Sequence, residues 1–263
     1  DKTESGFEYN VGVNMSTIRN RMTKLNGGTP ISDGPFRNGS MYLTYTNEGM
    51  PIGAFWGYKT DGLIQTQEQL NAVKRADFQP NAELGDVLFV DTNGDGKLDS
   101  SDRCMIGNPI PDIIYGINMG MAWKGFDLNL QFGGTIGNQI FNAMRYYTYF
   151  PNDITNKDRA LMNYWTPNNT NTDIPRLTAT DVNDNDRFSD MYVENGTYFR
   201  LRNAQLGYTL PASLTQRIKL QKVRFYVSGQ NLFTISSYSG MDPEVGQSSS
   251  LSRGIDYGIY PQN

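Results

Sequence analysis

The sequence predicts an all-β chain, a segment of a transmembrane antiparallel β-barrel that carries long extracellular loops. Three observations predict this. Aromatic residues make up 12% of the 263 positions, in a chain otherwise rich in Gly, Asn, Asp and Thr, a mixture that suits strands and loops better than helices. Several stretches alternate apolar and polar residues with a period of two. The connections between these stretches are short at one end and long at the other, as in membrane barrels with long outer loops.

The first strand is expected near 7–18, where Phe7, Tyr9, Val11, Val13 and Met15 alternate with Glu8, Asn10, Gly12, Asn14 and Ser16. The second, near 112–123, follows Pro111 and places Ile113, Tyr115, Ile117, Met119, Met121 and Trp123 on one face. A Lys124-Gly125 turn leads into the third, near 126–134, with Phe126, Leu128, Leu130 and Phe132 on its apolar face. The fourth, near 197–210, changes parity. Phe199 and Leu201 are apolar on one side of Arg202-Asn203, and Ala204, Leu206 and Tyr208 on the other, which reads as a β-bulge or a change of environment partway along the strand. After a short amphipathic stretch from Ala212 to Leu220, the fifth strand lies near 222–233, with Val223, Phe225 and Val227 in alternation. Long loops are expected at 20–111, 135–195 and 235–263.

Alternation alone fits a soluble β-sandwich equally well, because a period of two cannot distinguish lipid from a protein core. Two features favour the barrel. Loops this long are uncommon inside a compact soluble domain. The second face also carries Gly, Asn, Gln and Ser, as a wet lumen would allow, rather than Lys and Glu. Five strands cannot close such a barrel, which needs at least about eight, so the chain is expected to be part of a larger wall.

Composition narrows the remaining classes. A net charge of −4, with 19% charged residues, supplies no basic field for nucleic acid. Mean hydropathy is −0.54, and no stretch approaches the roughly 20 apolar residues of a membrane helix. The chain has no histidine and a single cysteine, Cys104. Ser-His-Asp and Cys-His chemistry, histidine zinc sites and an internal disulfide are thereby excluded. The chain begins at Asp1 without a signal-peptide pattern and reads as a piece of something larger.

The densest chemical signal is the stretch from Asp91 to Asp102. Asp91, Asn93, Asp95, Asp99 and Asp102 fall at calcium-loop positions 1, 3, 5, 9 and 12, with Gly96 at 6 and the Lys97 carbonyl at 7. Asp at position 12 in place of Glu makes a bidentate contact less assured. The loop is therefore expected to hold a structural Ca²⁺, against the plainer reading of an Asp/Gly-rich turn.

Several blocks then resemble, in order, the SusC/RagA family of TonB-dependent outer-membrane transporters of Bacteroidetes. They are Gly49-Met50-Pro51-Ile52-Gly53-Ala54-Phe55-Trp56-Gly57-Tyr58 with Asp61-Gly62-Leu63-Ile64-Gln65, then Gly85-Asp86 with the 91–102 loop. Next come Tyr164-Trp165-Thr166-Pro167 with Thr172-Asp173-Ile174-Pro175-Arg176-Leu177, and Val193-Glu194-Asn195-Gly196-Thr197-Tyr198-Phe199-Arg200-Leu201-Arg202-Asn203. Ser228-Gly229-Gln230-Asn231-Leu232-Phe233 and Tyr238-Ser239-Gly240-Met241-Asp242-Pro243-Glu244 complete the series. The family barrel has about 22 strands, so the five would be the seventeenth to twenty-first. The plug, the N-terminal domain and the last strand would lie outside this chain.

The resemblance implies TonB-dependent import of glycan oligosaccharides or oligopeptides across the outer membrane of a Gram-negative cell, without catalysis. The implied partners are a SusD-like surface lipoprotein acting as a lid, the rest of the same barrel and plug, the TonB complex and outer-membrane lipid. Trp56, Tyr58, Tyr147 and Trp165, with Phe55, Tyr146 and Tyr149, are candidate loop aromatics for stacking on sugars, against the plainer and favoured reading that each packs within its loop. The rival from another class is a secreted calcium-dependent glycan-binding β-domain. A glycosidase using Asp184/Asp186 or Asp99/Asp102 is a third possibility, but no spacing fixes such a pair.

Overall fold

The computed structural model describes residues 6–150, 156–245, 249–258 and 260. In chain order the strands are β1 (Glu8–Thr17), β2 (Ile31–Phe36), β3 (Met41–Thr46), β4 (Ala54–Gly57), β5 (Thr60–Leu63), β6 (Val87–Phe89) and β7 (Cys104–Gly107). They continue with β8 (Ile113–Trp123), β9 (Phe126–Ile136), β10 (Gln139–Asn142), β11 (Val193–Asn195), β12 (Tyr198–Thr209), β13 (Arg224–Ser236) and β14 (Ile255–Asp256). The α-helices are short: α1 (Gln67–Arg75), α2 (Ala143–Tyr149) and α3 (Ala212–Thr215).

The five long strands foreseen in the sequence form one antiparallel sheet in the order β1-β8-β9-β12-β13. At 10 to 13 residues each, they match the roughly 9–11 residues that a tilted strand needs to cross a bilayer. Register aligns like with like. Val13 sits opposite Ile117, and Ile117 opposite Phe132, while Asn118 faces Gln131 on the other side of the sheet. β8 and β9 are joined through Lys124 and Gly125, both at positive φ (47° and 87°), the left-handed pair a tight hairpin requires.

The parity change in β12 is a bulge. Leu201 pairs with Phe132 and Asn203 with Gln131, and Arg202 is the extra residue between them. Phe199 and Leu201 above it thereby share the apolar face with Ala204, Leu206 and Tyr208 below it. β13 answers with its own irregularity. Leu201 pairs with Phe233 and Asn203 with Gln230, so Asn231 (φ 48°) and Leu232 lie between. The Leu232 side chain leans over Gly229, where a Cβ would meet its Cδ2 at 2.7 Å, and fills the gap in the apolar stripe.

Much of that stripe is bare among the described residues, although Leu201 near its upper end is buried. Val13 is 70% exposed, Phe225 64% and Val227 67%. A soluble sandwich would bury such a face under a second sheet, and soluble monomers rarely leave large contiguous apolar patches bare. Aromatics collect on the apolar face near the short-turn end, where Phe126 and Tyr208 lie 4.5 Å apart and Phe7 stacks on Tyr9.

The long connections between the wall strands carry structure of their own. Within the described residues, 20–111, 135–195 and 235–263 fold into sheets of their own, ordered β2-β3-β4-β7, β5-β6 and β11-β10-β14; residues 151–155, 246–248, 259 and 261–263 lie outside the description. All three excursions leave the same end of the wall and share one core. Phe36, Leu43 and Phe55 come from the first, Phe141, Ala143, Tyr146, Phe188 and Tyr192 from the second, and Ile255 from the third. Phe141 stands at the centre. Its backbone pairs with Val193 and Ile255, and its ring meets Phe36 (5.4 Å) and Phe188 (4.9 Å) edge-on. Burying these rings removes apolar surface from water that irregular loops would leave wet. We call this unit the roof.

Phe141→Ala is predicted to cost the roof about 3–5 kcal/mol. Limited proteolysis of the intact protein should then cut all three excursions sooner, with the wall still protected; faster cleavage in the second excursion alone would contradict the shared core.

Candidate functional site

The polar face of the wall and the underside of the roof meet in a recess of about 530 Å³, lined by Ile114 and Thr135 of the wall, Asn138 and Ile140 above it, and Glu244 and Arg253 of the third excursion. The strands supply this geometry directly. Residues on the even side of β8 and the odd side of β9 face away from the apolar stripe, and the bulge turns Arg202 to the polar side, over Gly133.

A strap formed by residues 237–245 closes one side of the recess. Arg200, only 5% exposed, donates from Nε to Thr234 Oγ1 (2.8 Å) and from a terminal nitrogen to Glu244 (3.1 Å), and it pairs with Asp242. Arg202 bridges Glu244 (3.2 Å) and the Tyr198 hydroxyl (3.1 Å). A buried guanidinium is tolerable only when its charge and donors are both answered, and this cluster answers them. Further along, Tyr238 donates to Asp256 (2.6 Å) at the foot of β14. Burial, with the Asp256 carboxylate beside it, pushes the Tyr238 hydroxyl well above its ordinary value, so it remains a donor. These residues escaped the sequence reading as a site, although Arg200, Arg202, Asp242 and Glu244 all stand in recognised blocks. Only the fold brings the two blocks together.

A second polar knot orders the outer roof. Asp86, fully buried, accepts from Arg176 Nε (2.6 Å), Asn185 Nδ2 (3.1 Å) and the Glu83 amide (2.8 Å). Gly85 (φ 88°) lies so close to the Trp165 ring that a side chain there would collide with it. The Gly85-Asp86, Tyr164-Trp165 and Pro175-Arg176 blocks are thus one structural unit.

That unit changes the reading of the aromatics. Trp165 is 6% exposed and belongs to a core with Leu63, Phe78, Val87 and Phe89. Phe55 and Tyr146 are buried in the core around Phe141. Trp56 is half-buried against Tyr45 (ring centroids 4.6 Å apart), Tyr58 meets Phe89 edge-on at 5.9 Å, and Tyr147 lies 5.1 Å from Phe36. Tyr149 is half-buried beside the Arg145 guanidinium. Of the two readings of these aromatics, packing holds at Phe55, Tyr146 and Trp165, and sugar stacking is set aside there: the excursions have a hydrophobic core of their own, and these rings build it.

The 91–102 loop is closed by its own backbone. Asp91 accepts from the Gly94 and Gly96 amides (2.6 and 2.9 Å), Asn93 from Asp95 (2.8 Å), Asp95 from Lys97 (2.8 Å) and Asp99 from Ser101 (2.7 Å). Asp102 is buried and accepts from the Thr92 and Asp99 amides, both at 3.0 Å. Asp91 is held below the usual carboxylate range chiefly by the Gly96 amide, and Asp99 chiefly by the Ser101 hydroxyl. The residue types suit a calcium loop, although among the described residues no three acidic side chains converge. The other acidic pairs are engaged as well, Asp186 with Arg37 (2.6 Å) and Asp184 with Arg187 (3.0 Å).

Asp102→Ala leaves two amides without an acceptor and should destabilise the roof by about 1–3 kcal/mol, read as a lower unfolding midpoint; an unchanged midpoint would exclude the closing role. Because Asp91 and Asp99 are depressed in the folded state, their contribution is present above the ordinary carboxylate value of about 4 and is lost as pH falls through their lower folded values. Protection of the Gly94 and Gly96 amides, taken relative to their intrinsic exchange rate at each pH, should therefore be high at neutral pH and fall as the pH drops below the ordinary carboxylate value.

No family model matches the chain. It is 36% identical to TonB-dependent receptor P3 of Formosa agariphila over 98% of this chain and 26% of that protein, and 27% identical to TonB-dependent receptor SusC of Bacteroides thetaiotaomicron over 97% and 23%. The chain spans about a quarter of the length of these curated relatives. Among solved structures it superposes on the RagAB peptide transporter with a TM-score of 0.72, at 24% identity over 97% of this chain and 26% of that one. The RagAB peptide importer in the closed-closed state gives the same TM-score, at 25% identity over 99% and 26%. Ordered motifs, wall topology and relatives at this level agree in likening the chain to part of a SusC/RagA-type TonB-dependent receptor.

Proposed function

We propose that this chain forms a C-terminal part of the barrel wall, and part of the extracellular roof, of an outer-membrane importer of nutrient oligomers. The cargo class is glycan oligosaccharides or oligopeptides. A SusD-like lipoprotein closes over the roof, and the TonB complex supplies energy through a plug carried elsewhere in the polypeptide. The chain itself performs no catalysis.

One observation carries the reading. The wall has a largely bare apolar stripe on one face and amides on the other, and among the described residues β1 and β13 are its two edge strands. Backbone groups on such edges cost several kcal/mol each in hydrocarbon unless further strands satisfy them, so the wall suits a larger closed barrel with lipid outside and water inside. The relatives bear receptor names and the solved neighbours are described as transporters and importers, which supports import as the activity.

In the intact transporter, Val227→Arg at the middle of β13 should cost about 2–4 kcal/mol of folding in the bilayer, whereas Ser228→Arg on the opposite face should be tolerated. Heat-modifiable migration of outer-membrane fractions measures both. Equal tolerance of the two, or a protein that purifies as a monomer without detergent, would contradict the reading.

We further infer that the 91–102 loop takes Ca²⁺ as a structural tie, on the strength of its oxygen spacing. Thermal melting of the intact transporter should rise with added Ca²⁺ relative to EGTA, and Asp91→Asn/Asp95→Asn should abolish the rise. Identical melting curves would confine the loop to its hydrogen-bonded role.

A further inference from the structure

Four asparagines are followed directly by glycine: Asn26, Asn38, Asn93 and Asn195. In such a pair the glycine nitrogen can attack the asparagine Cγ, because no glycine side chain shields it. A five-membered succinimide forms, the Cγ–Nδ2 bond breaks, and Nδ2 leaves as ammonia with the proton given up by the glycine nitrogen. Water then opens the ring to aspartate or isoaspartate. As sequence the four pairs are chemically equivalent, and the fold separates them. Ring closure requires a glycine amide that no hydrogen bond fixes, and rotation of the asparagine backbone until that nitrogen reaches Cγ. A pair held by hydrogen bonds reacts only through locally opened states.

Three pairs are held. The Gly39 amide donates to the Phe36 carbonyl (3.1 Å) and closes the hairpin between β2 and β3, so rotation at Asn38 would open that hairpin. The Gly94 amide donates to Asp91 Oδ1 (2.6 Å), and the Asn93 side chain is itself fixed, donating to Asp95 (3.1 Å) and Ser101 (2.6 Å). The Gly196 amide donates to the Asn138 carbonyl (2.8 Å), while Asn195 pairs with Gln139 of β10 and accepts from the Thr197 amide (2.9 Å). All these ties lie within the chain, so they hold whatever surrounds it.

Asn26 stands apart. Asn26 and Gly27 are the central residues of a turn closed by the Gly28 amide on the Leu25 carbonyl (3.1 Å), and Gly27 takes the positive φ (83°) of a type II turn. The closing bond does not use the Gly27 amide. Among the described residues neither that amide nor the Asn26 side chain has a hydrogen-bond partner. Both residues are exposed, and a Cβ built on Gly27 or Gly28 would meet nothing within 4 Å. Rotation at Asn26 therefore costs one exposed turn bond, next to two glycines that accept the new backbone angles.

We propose that Asn26 is a modification site, the Asn-Gly pair of this chain that deamidates spontaneously in the folded protein. The product adds a negative charge one residue from Leu25, whose side chain is buried and whose amide donates to Glu48 (2.9 Å). The isoaspartyl form also lengthens the main chain by one carbon beside that anchor. The reaction consumes only water and releases ammonia, so it needs no enzyme and records the age of the folded chain. It is independent of the importer reading.

The test follows each pair in the intact transporter, folded in detergent at mildly alkaline pH with EGTA present throughout. Peptide mapping after incubation in heavy-oxygen water counts each opened succinimide by the label it takes up. Synthetic peptides spanning the four pairs supply the rates without the fold. Asn26 should react within about three-fold of its peptide, and Asn38, Asn93 and Asn195 at least about ten-fold more slowly than theirs. Asp91→Ala, which frees the Gly94 and Gly96 amides together, should raise the Asn93 rate at least about five-fold relative to Asn195 in the same sample. Protection of Asn26 as strong as that of the other three would overturn the proposal, as would any of the three reacting as fast as Asn26 in the wild-type protein. An unchanged ratio of Asn93 to Asn195 in the variant would overturn it too, because the amide ties would then not set the rates.

Discussion

The structure depends on keeping one face of a five-stranded sheet apolar without interruption. Each strand alternates, and register carries that alternation from β1 to β9 residue against residue. β12 reaches the roof at Arg200 and the bare wall at Leu206, and these places make different demands. A regular strand cannot put Phe199 and Leu201 on the same side as Ala204 and Leu206, because the parity is wrong. One extra residue at Arg202 resolves the conflict. It restores the apolar stripe below, aligns Asn203 with Gln131, and sends a guanidinium toward the strap above.

The roof follows from the same geometry. Strands that run up and down in turn deliver all three excursions to one end, and each is too long to stay hydrated as irregular chain. Their apolar side chains find one another around Phe141, and the third excursion completes the core by laying Ile255 beside it in a parallel pairing. Roof and wall are then joined by charge. Arg200 is buried where β12 meets the roof, and Asp242 and Glu244 come down from the strap to compensate it. Removing either side of such a cluster leaves an uncompensated charge out of water, so the strap is fixed in place by the cost of its absence.

The wall was legible in the sequence because period-two alternation is local. Its five strands, the hairpin at Lys124-Gly125 and the bulge at Arg202-Asn203 follow from neighbours in the chain. The roof was not, because its strands are short and mostly buried, and β10 (Gln-Ile-Phe-Asn) shows no alternation to read. The aromatics of the excursions stayed open between packing and stacking for the same reason. Trp165 and Tyr146 in a stretch read as a loop suggest exposed rings, and only the pairing of distant segments shows them as core. The Asp91–Asp102 pattern was fully visible, yet the same residue types serve a metal and a self-closed turn, and spacing alone does not separate the two. The strap and its arginine partners belong to a third kind. Every residue stood in plain view, but their meaning lies in cross-strand register.

The direct test of this account is the lipid exposure of β12 in the intact transporter. Spin labels placed one at a time from Phe199 to Tyr208 in a bilayer, in a background lacking Cys104, report access to oxygen dissolved in lipid and to a water-soluble nickel chelate. The account predicts oxygen-accessible labels at 199, 201, 204, 206 and 208 and chelate-accessible labels at 203, 205 and 207, with the phase breaking at 202. An unbroken period of two through that position, or equal access on both faces, would contradict it.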